Sequence, residues 1–283
     1  MIVVTAASGK LGQKVAEHLA RIVPPSSVRL AARTPDRLAP FAAKGFEVVA
    51  ADYDDAASLE RAFAGAEAAM IISSVGTNDD RARQHKAAIE AARTAGVKRI
   101  AYTSAIKPEG SRFEWAPGHV ETEAALKASG VPYTILRDNS YASNNDGLYR
   151  HAIETGVFAL PGVDAKVAYV THDDIASAAA KVLAAGGHDN KTYDMTGPEA
   201  LDGHEVAAAL AEASGKPIKA QEMSLADYGG ILRSFQLPEF VVSGVTSFMA
   251  ALAAGEYSGV SGDVERLAGR KGTPLRDYLR ATL

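Results

Sequence analysis

The stretch VVTAASGKLG, residues 3 to 12, decides how the rest of the chain is interpreted. β-Branched residues lead into a turn of small residues, and a run with helical periodicity follows the turn. In such a strand-turn-helix unit, the first small residue makes the tight turn, the second lets a phosphate approach the backbone, and the third lets helix and strand pack closely. Ala6, Gly9 and Gly12 hold these positions here. The turn therefore predicts a phosphate-binding loop, with Ala6 tolerable if its φ is negative, although a purely structural turn could use the same residues.

The segments around this turn indicate an α/β fold. Short apolar runs alternate with longer helical patterns from IVVT and KLGQKVAEHLARIV through to PYTILR. This alternation predicts a Rossmann-type, doubly wound parallel sheet with crossover helices on both faces. Beyond about Asn139 the pattern becomes loop-rich, and then continues with a helix, the short strand KTYDMTG and a helical tail. We expect a dinucleotide-binding domain over residues 1–138 and a small, mostly helical C-terminal lobe over residues 139–283, interleaved with the end of the sheet, with the substrate bound between them.

The composition excludes several classes of protein. The chain has 283 residues, 47% of them hydrophobic, with 30 basic and 34 acidic side chains and no long basic run, so nucleic acid is not expected as a partner. The absence of cysteine excludes disulfides, thiolate nucleophiles and thiolate metal sites. No apolar stretch reaches the roughly 18 residues that span a bilayer, so no membrane partner is expected. A strand-like start at residue 2 adds to the expectation of a cytoplasmic protein.

Motifs of other enzyme classes are absent. The chain has no HExxH, no GxSxG and no Walker lysine motif. His172 lies in THDD, where Thr171 and Asp173 are better interpreted as caps of a helix that starts near Ile175 than as metal ligands. His85 is interpreted as a helical packing or capping residue. No metal site is expected.

The end of the second strand, LAARTPDR, indicates which dinucleotide is bound. An acidic residue at this place would bind the ribose 2′-hydroxyl of NAD, whereas an arginine accommodates the 2′-phosphate of NADP. Arg33 stands here, with Arg37 one helical turn further on, which favours NADP(H) over the alternative of a solvated surface arginine. Asp52, after strand three, could accept a hydrogen bond from the adenine amino group or cap the next helix. The loop of Ser73, Ser74 and Val75, after strand four, could border the cofactor's ribose.

Seven segments extend over essentially the whole chain: TAASGKLG, LAARTPDR, ADYDD, QHKAAIEAARTAGVKRIAYTS, HVETEAALKASGVPYTILR, THDDIASAAAKVL and LAGRKGTPLRDYL. Taken in order, they resemble the NmrA-like branch of atypical short-chain dehydrogenase/reductases. Within that branch they are similar to the type-2 NADPH:quinone oxidoreductases and the triphenylmethane reductases. The resemblance implies a Rossmann domain that carries NADPH and transfers hydride to a small-molecule acceptor, a quinone or a quinone-like dye.

The resemblance also implies roles for individual residues. It puts the pyrophosphate at Ala6, Ser8, Gly9, Lys10, Leu11 and Gly12, and the 2′-phosphate at Arg33. The wall on the nicotinamide side would consist of Ser73, Ser74, Val75, Asp138, Asn139, Ser140 and Tyr141. Asn144 matches an asparagine that lines the substrate side. This chain departs from the pattern at Ala6, where glycine is usual, and at Asp138-Asn139-Ser140, where a more apolar stretch is common; these departures bear on the acceptor more than on the cofactor.

No ordinary acid-base pair for carbonyl reduction is present. The usual tyrosine has a lysine four residues later, and none of the ten tyrosines has one. On the helix HVETE, His119 and Glu123 share a face, and a histidine beside a carboxylate could donate a proton near neutral pH. An exposed ion pair is the alternative. Quinone reduction does not require a positioned acid, and Ser104 or Asn144 could donate a hydrogen bond to the acceptor oxygen, although a local backbone bond is an equal alternative for each.

Two functions remain after the sequence analysis. The first is an NADPH-dependent oxidoreductase acting on quinones or similar conjugated acceptors. The alternative is a non-catalytic NADP(H)-sensing regulatory protein that acts through a protein partner, because the fold alone does not determine the function. The tail segment and Asn144 favour the enzyme. The apolar helices would allow a homodimer but do not specify one.

Overall fold

The structure, a computed structural model, describes residues 1–283. The strands are β1 (Ile2–Val4), β2 (Val28–Ala32), β3 (Glu47–Ala50), β4 (Ala68–Ile71), β5 (Arg99–Ala105), β6 (Tyr133–Asp138), β7 (Val157–Leu160), β8 (Lys191–Met195) and β9 (Lys219–Glu222). The helices are α1 (Lys10–Leu19), α2 (Ala39–Ala42), α3 (Ala56–Phe63), α4 (Asn78–Thr94), α5 (Ala116–Ala128), α6 (Asp146–Thr155), α7 (His172–Ala184), α8 (Gly203–Ser214), α9 (Leu225–Ser234), α10 (Glu239–Ala253), α11 (Asp263–Ala268) and α12 (Leu275–Thr282).

Seven parallel strands form the main sheet, in the order β3-β2-β1-β4-β5-β6-β8. The strand order reverses at β1, which pairs with β2 on one side and with β4 on the other. In open α/β sheets a ligand binds at the carboxyl ends of the strands beside such a reversal. The predicted Rossmann-type, doubly wound fold is confirmed, and its reversal point lies at the turn after β1.

Both faces of the sheet are covered, which explains why its strands are apolar on both sides. On β1, Val4 packs into the core beneath α1 and α7, while the alternate residue Val3 packs into the core beneath α3, α4 and α5. Both residues are fully buried, and the burial of each side chain stabilises the fold by about 1.5–3 kcal/mol. On α1 the residues Leu11, Val15 and Leu19 recur at a spacing of four and form the buried stripe that packs on the sheet.

The C-terminal half forms a second, smaller core and also completes the main sheet. β7 and β9 pair in parallel and pack with α6, α8, α10 and α12. This two-stranded sheet was missed by the sequence analysis, because β9 reads KAQE and has no apolar pattern. β8 pairs with β6, and α7 packs on α1, so the two halves are interleaved. The division at residue 138 stays a prediction.

Several element ends differ from the sequence expectations. α1 ends at Leu19, although the helical pattern runs to Val23. Thr34-Pro35 predicts the cap and start of the second helix, but a short 3-10 turn follows and the Thr34 side chain caps nothing. α7 begins at His172 rather than near Ile175; the Thr171 hydroxyl caps it by accepting the Asp174 N–H at 3.1 Å, while Asp173 pairs with Arg270 instead.

Candidate functional site

Two adjoining cavities lie at the carboxyl ends of β1 and β4. One, of about 360 Å³, is lined by Arg33 and Asp52 and is called here the Arg33 cavity. The other, of about 520 Å³, is lined by Asn144 and Asp138 and is called the Asn144 cavity. The residues common to both are Ala6, Gly9, Ser73, Ser74 and Val75. The two cavities therefore form one groove that passes over the turn after β1.

Every residue that the sequence analysis assigned to the site lines this groove. Ser8, Arg33 and Asp52 line the Arg33 cavity. The Asn144 cavity is lined by Lys10, Leu11, Gly12, His119, Asp138, Asn139, Tyr141 and Asn144. Their convergence is a finding of the structure, whereas the role of each residue stays a prediction.

The N-terminus of α1 opens into the groove without a side-chain cap. Gly9 is the residue before the helix, and no acidic side chain lies in the first turn. The first N–H groups of a helix have no partner within the helix and, with its dipole, favour an anion. A Cβ on Gly12 would lie 2.6 Å from the Cα of Ala7, so this glycine is required for the close approach of helix and turn. The turn thus fits a bound phosphate.

Ala6 does not meet the condition under which alanine would be tolerated freely at this position, a negative φ. Its φ is +48°, in the left-handed region. Hydrogen bonds fix the turn on both sides: the Gly9 N–H donates to the Ala6 carbonyl and the Ala7 N–H donates to the Ala31 carbonyl, each at 3.0 Å. An L-residue in this region costs about 1–2 kcal/mol, so the turn keeps a glycine-like geometry at some cost in stability.

We expect the substitution Ala6→Gly to stabilise the protein by up to about 1 kcal/mol, because glycine adopts a positive φ freely while losing more chain entropy on folding. The measurement is the urea midpoint of unfolding. Ala7→Gly is the matched control; Ala7 is fully buried with a negative φ, and its replacement should lower the midpoint. An equal loss of stability in both variants would contradict the assignment of strain to Ala6.

Arg33 is exposed at the rim of its cavity and has no hydrogen-bond or ion-pair partner in the protein. Its guanidinium is therefore available to a ligand phosphate, and Arg37 lines the same cavity. Asp52 does not cap the following helix, since that role belongs to Asp55, whose carboxylate accepts the Ser58 N–H at 3.2 Å. The capping alternative for Asp52 is wrong, and its contact with adenine stays a prediction.

The loop between the two cavities is held from below by residues that the sequence analysis did not assign to the site. The Ser73 N–H donates to the Thr103 hydroxyl at 2.9 Å, and the Ser74 N–H donates to Nε2 of His85 at 2.9 Å. Arg81 donates from Nε to the Ser74 carbonyl at 3.0 Å. In the sequence DDRARQHK nothing distinguishes Arg81 from Arg83 until the helix face is known. His85 does more than pack, because it positions the loop.

His119 is buried and does not pair with Glu123. Its Nε2 lies 2.6 Å from Nη2 of Arg81 and its Nδ1 lies 2.8 Å from the Tyr102 hydroxyl. Burial, together with the charge of Arg81, holds the pKa of His119 well below its usual range. His119 is therefore neutral near pH 7, and neither the expected histidine–carboxylate donor nor the exposed ion pair exists.

The carboxylate of Glu123 is occupied by other partners. It accepts bonds from Nε of Arg137 at 2.9 Å and from the Ser104 hydroxyl at 2.7 Å. Because the Ser104 proton is committed to Glu123, Ser104 is not a free donor for an acceptor oxygen. Both alternatives for Ser104, a substrate contact and a local backbone bond, give way to this side-chain bond.

Asp138 is a buried carboxyl group with one unpartnered oxygen. The Tyr141 hydroxyl donates to its Oδ2 at 2.6 Å, and its Oδ1 has no partner. Burial raises the pKa of Asp138 to about 8, against which the Tyr141 bond acts only in part. The neighbouring Asn139 uses its amide within the protein, donating to the Tyr257 carbonyl at 3.1 Å and accepting from the Ser140 N–H at 2.7 Å.

Asp138→Asn should stabilise the protein by an amount that grows between about pH 4 and pH 8. In the unfolded chain the carboxyl loses its proton near pH 4, whereas in the folded protein it keeps it up to about pH 8, so the wild type loses stability across that range. Asparagine cannot ionise and removes this loss. Melting temperatures at pH 5 and pH 8 test it, with the exposed Asp79→Asn as control. A difference from wild type that stays constant with pH would contradict the assignment.

Aromatic side chains form the far wall of the Asn144 cavity. Trp115, the single tryptophan of the chain, lies 5.7 Å from Phe113 between ring centroids, and Phe248 bridges Phe113 and Tyr257 at 5.2 and 5.0 Å. Asn144 is exposed and its side-chain amide has no partner in the protein. The cavity therefore offers a flat ligand both aromatic rings and a free amide.

No group of three or more histidine, cysteine or acidic side chains is arranged to hold a metal ion. His172 lines the cavity by stacking on Tyr141, with ring centroids 4.2 Å apart, and it belongs to no such group. None of the helices combines the length and apolarity needed to cross a bilayer.

Comparison with known proteins adds to this geometry. The family model described as NAD(P)H-binding matches residues 6–186. Quinone oxidoreductase 2 of Escherichia coli (strain K12) is 37% identical over 277 residues, which cover 98% of this chain and 96% of that protein. A crystal structure of the NADPH-dependent quinone oxidoreductase from Escherichia coli complexed with NADPH superposes with a TM-score of 0.94, 37% identity and 99% coverage of both chains. The Citrobacter sp. triphenylmethane reductase complexed with NADP(H) superposes with a TM-score of 0.94, 35% identity and 100% coverage of both chains.

Proposed function

The chain belongs to the NAD(P)H-binding family, and we propose that it is an NADPH-dependent oxidoreductase that transfers hydride to quinones or similar flat conjugated acceptors. The resemblance to quinone oxidoreductases and triphenylmethane reductases is confirmed over essentially the whole chain. The observation that carries the proposal is the continuous groove, with an uncapped helix N-terminus and a free Arg33 towards one end and an aromatic cavity at the other. The similarity to named reductases favours this function over the regulatory alternative.

Different residues of the groove bind the cofactor and the acceptor. The N–H groups at the start of α1 bind the pyrophosphate, and Arg33 binds the 2′-phosphate. The rings of Phe113, Trp115 and Phe248 bind a flat acceptor and exclude water, while the Asn144 amide donates to an acceptor oxygen. Bound NADPH supplies the hydride. Because His119 is neutral and Ser104 is committed to Glu123, water supplies the proton, and positioning accounts for most of the rate.

The function is tested by measuring NADPH oxidation by the purified protein with and without a panel of benzoquinones, naphthoquinones and dyes, and by repeating each measurement with NADH. We expect turnover that depends on the acceptor and favours NADPH. Tight NADPH binding without turnover on any acceptor would instead support the NADP(H)-sensing protein, and the search would turn to a protein partner.

Asn144→Ala should lower turnover by about 10- to 100-fold with little change in NADPH affinity, because a hydrogen bond to an oxygen that gains charge is worth about 1.5–3 kcal/mol. Steady-state kinetics and a separate NADPH titration measure the two effects. Asn145→Ala is the matched control, since Asn145 is the next residue and lines neither cavity. Unchanged turnover in Asn144→Ala would remove this residue from the site.

A homodimer and a cytoplasmic location remain part of the proposal. Size-exclusion chromatography with light scattering tests the first, and fractionation of cells that express the chain tests the second.

A further inference from the structure

The guanidinium of Arg81 is buried beside the Asn144 cavity without any carboxylate partner. Arg81 is 4% exposed. Nε donates to the Ser74 carbonyl and Nη1 to the Trp115 carbonyl, each at 3.0 Å. Nη2 donates to the Ser73 hydroxyl at 2.8 Å and to Nε2 of His119 at 2.6 Å. All four acceptors are neutral, so hydrogen bonds hold the cation in place and nothing balances its charge.

Buried charges are normally paired, because removing an ion from water is costly. Two partly buried arginines follow that rule: Arg137 pairs with the buried Glu123, and Arg270 pairs with the buried Asp174. Burial lowers the pKa of Arg81, which only the Tyr102 hydroxyl opposes, yet a guanidinium stays protonated in proteins. Arg81 is the only fully buried arginine of the chain, and its charge has no carboxylate partner.

The histidines beneath Arg81 cannot balance its charge, and their tautomers follow from the donors around them. Arg81 only donates, so Nε2 of His119 accepts and the proton lies on Nδ1, towards Tyr102. The Ser74 N–H likewise donates to Nε2 of His85, whose proton lies on Nδ1, towards Thr122. Burial, together with the charge of Arg81, lowers the pKa of His85 to about 3. Both rings are neutral.

One N–H of Arg81 remains for a ligand. A guanidinium has five N–H donors. Four have acceptors in the protein, and the fifth, on Nη1, has none. Arg81 lines the Asn144 cavity together with Trp115 and Thr103 and does not line the Arg33 cavity. An anion that balances the charge of Arg81 would therefore belong to a molecule bound in the Asn144 cavity.

We propose that Arg81 is the anion-binding group of the acceptor site and that the site selects flat aromatic acceptors that carry an anionic oxygen or acquire one during the reaction. This class of acceptor rests on the proposed function, the reduction of quinones or similar conjugated acceptors. A quinone that gains a hydride, which is two electrons and one proton, becomes a hydroquinone monoanion and leaves NADP⁺; water supplies the second proton. The fixed charge of Arg81 stabilises that oxygen anion in a cavity of low dielectric. A cationic dye in the same cavity would meet an unbalanced like charge.

The test compares the binding of two redox-inert ligands of the same shape, 2-naphthoate and 2-naphthamide, by calorimetric titration. The protein is loaded with NADPH, because the reduced nicotinamide ring is uncharged. We expect the wild type to bind the naphthoate at least about tenfold more tightly, as one charge-assisted bond implies. Arg81→Met, saturated with NADPH, should bind both ligands equally well. Arg83→Met is the control, because Arg83 lies two residues further on an exposed face and pairs with Asp54 and Asp80.

Two results would overturn the proposal. The first is equal binding of the two ligands by the wild type, which requires no variant and so decides the matter even if Arg81→Met does not fold. The second is a preference for naphthoate that survives in Arg81→Met. Because these ligands are not reduced, the outcome is independent of turnover: a preference for naphthoate without quinone reduction would reject the proposed function and keep the anion site.

Discussion

Gly12→Val is expected to prevent stable folding and, with it, NADPH binding. A Cβ at residue 12 would lie 2.6 Å from the Cα of Ala7 and 2.9 Å from the carbonyl oxygens of Ala6 and Ala7. These are backbone atoms of a turn that Ala31 and Gly9 hold by hydrogen bonds, so they cannot move aside cheaply. Overpacking of this kind costs about 1–3 kcal/mol and more where backbone must shift, which is a large part of a typical total stability of about 5–15 kcal/mol. Urea unfolding and NADPH titration measure the two losses.

Gly9→Ala is the matched comparison for that variant. A Cβ at residue 9 would lie 3.4 Å from the Ala6 carbonyl oxygen, which is close to an ordinary contact, so the fold should persist. The methyl group would instead project into the groove where the phosphate approaches, and NADPH affinity should fall at nearly unchanged urea midpoint. If Gly9→Ala unfolded as readily as Gly12→Val, the separate roles assigned to the two glycines would be wrong.

Arg33→Ala is expected to weaken NADPH binding by about 10- to 100-fold and to leave NADH binding nearly unchanged. Arg33 has no partner in the protein, so its removal leaves no other group unsatisfied, and the whole loss falls on the charge-assisted bonds to the 2′-phosphate, worth about 1.5–3 kcal/mol. Dissociation constants for both cofactors, measured by fluorescence titration, give the ratio directly. High salt should reduce the difference, because the contact is exposed.

Arg21→Ala controls for a general loss of positive charge, since Arg21 is exposed and lines neither cavity. It should change neither dissociation constant. Equal losses of NADPH and NADH affinity in Arg33→Ala would reject the assignment of the 2′-phosphate to this residue.

The main sheet could be predicted because its signals are local. Most of its strands are short apolar runs, as a parallel sheet covered on both faces requires; the edge strand β8, which reads KTYDM, is the exception. The ends of elements and the second sheet could not be predicted in this way. β9 reads KAQE and pairs with β7 only because the surrounding helices bring the two segments together. Likewise the positive φ of Ala6 belongs to a turn that is tied to the neighbouring strand by the bond from the Ala7 N–H to the Ala31 carbonyl.

The residues predicted to bind the cofactor could be located for the same reason. The turn of Ala6, Gly9 and Gly12 is continuous in the sequence, and Arg33 follows the next strand at the expected distance. The acceptor side of the groove was harder to predict from the sequence. The spacing correctly predicts that His119 and Glu123 share a face of α5, but the predicted pairing between them is wrong, because each has another partner, Arg81 for one and Arg137 for the other.

By itself, then, the sequence determined the fold class and located the turn after β1 and Arg33, which are predicted to bind phosphate, because each depends on residues that are neighbours along the chain. Only the tertiary structure decided which charges are balanced. Arg81 and Arg83 stand two residues apart on α4; one is buried against neutral acceptors and the other is paired at the surface. Their environments differ because α4 packs one face against α5 and the loop after β4, and the free energy of a charge depends on what surrounds it in space rather than along the chain.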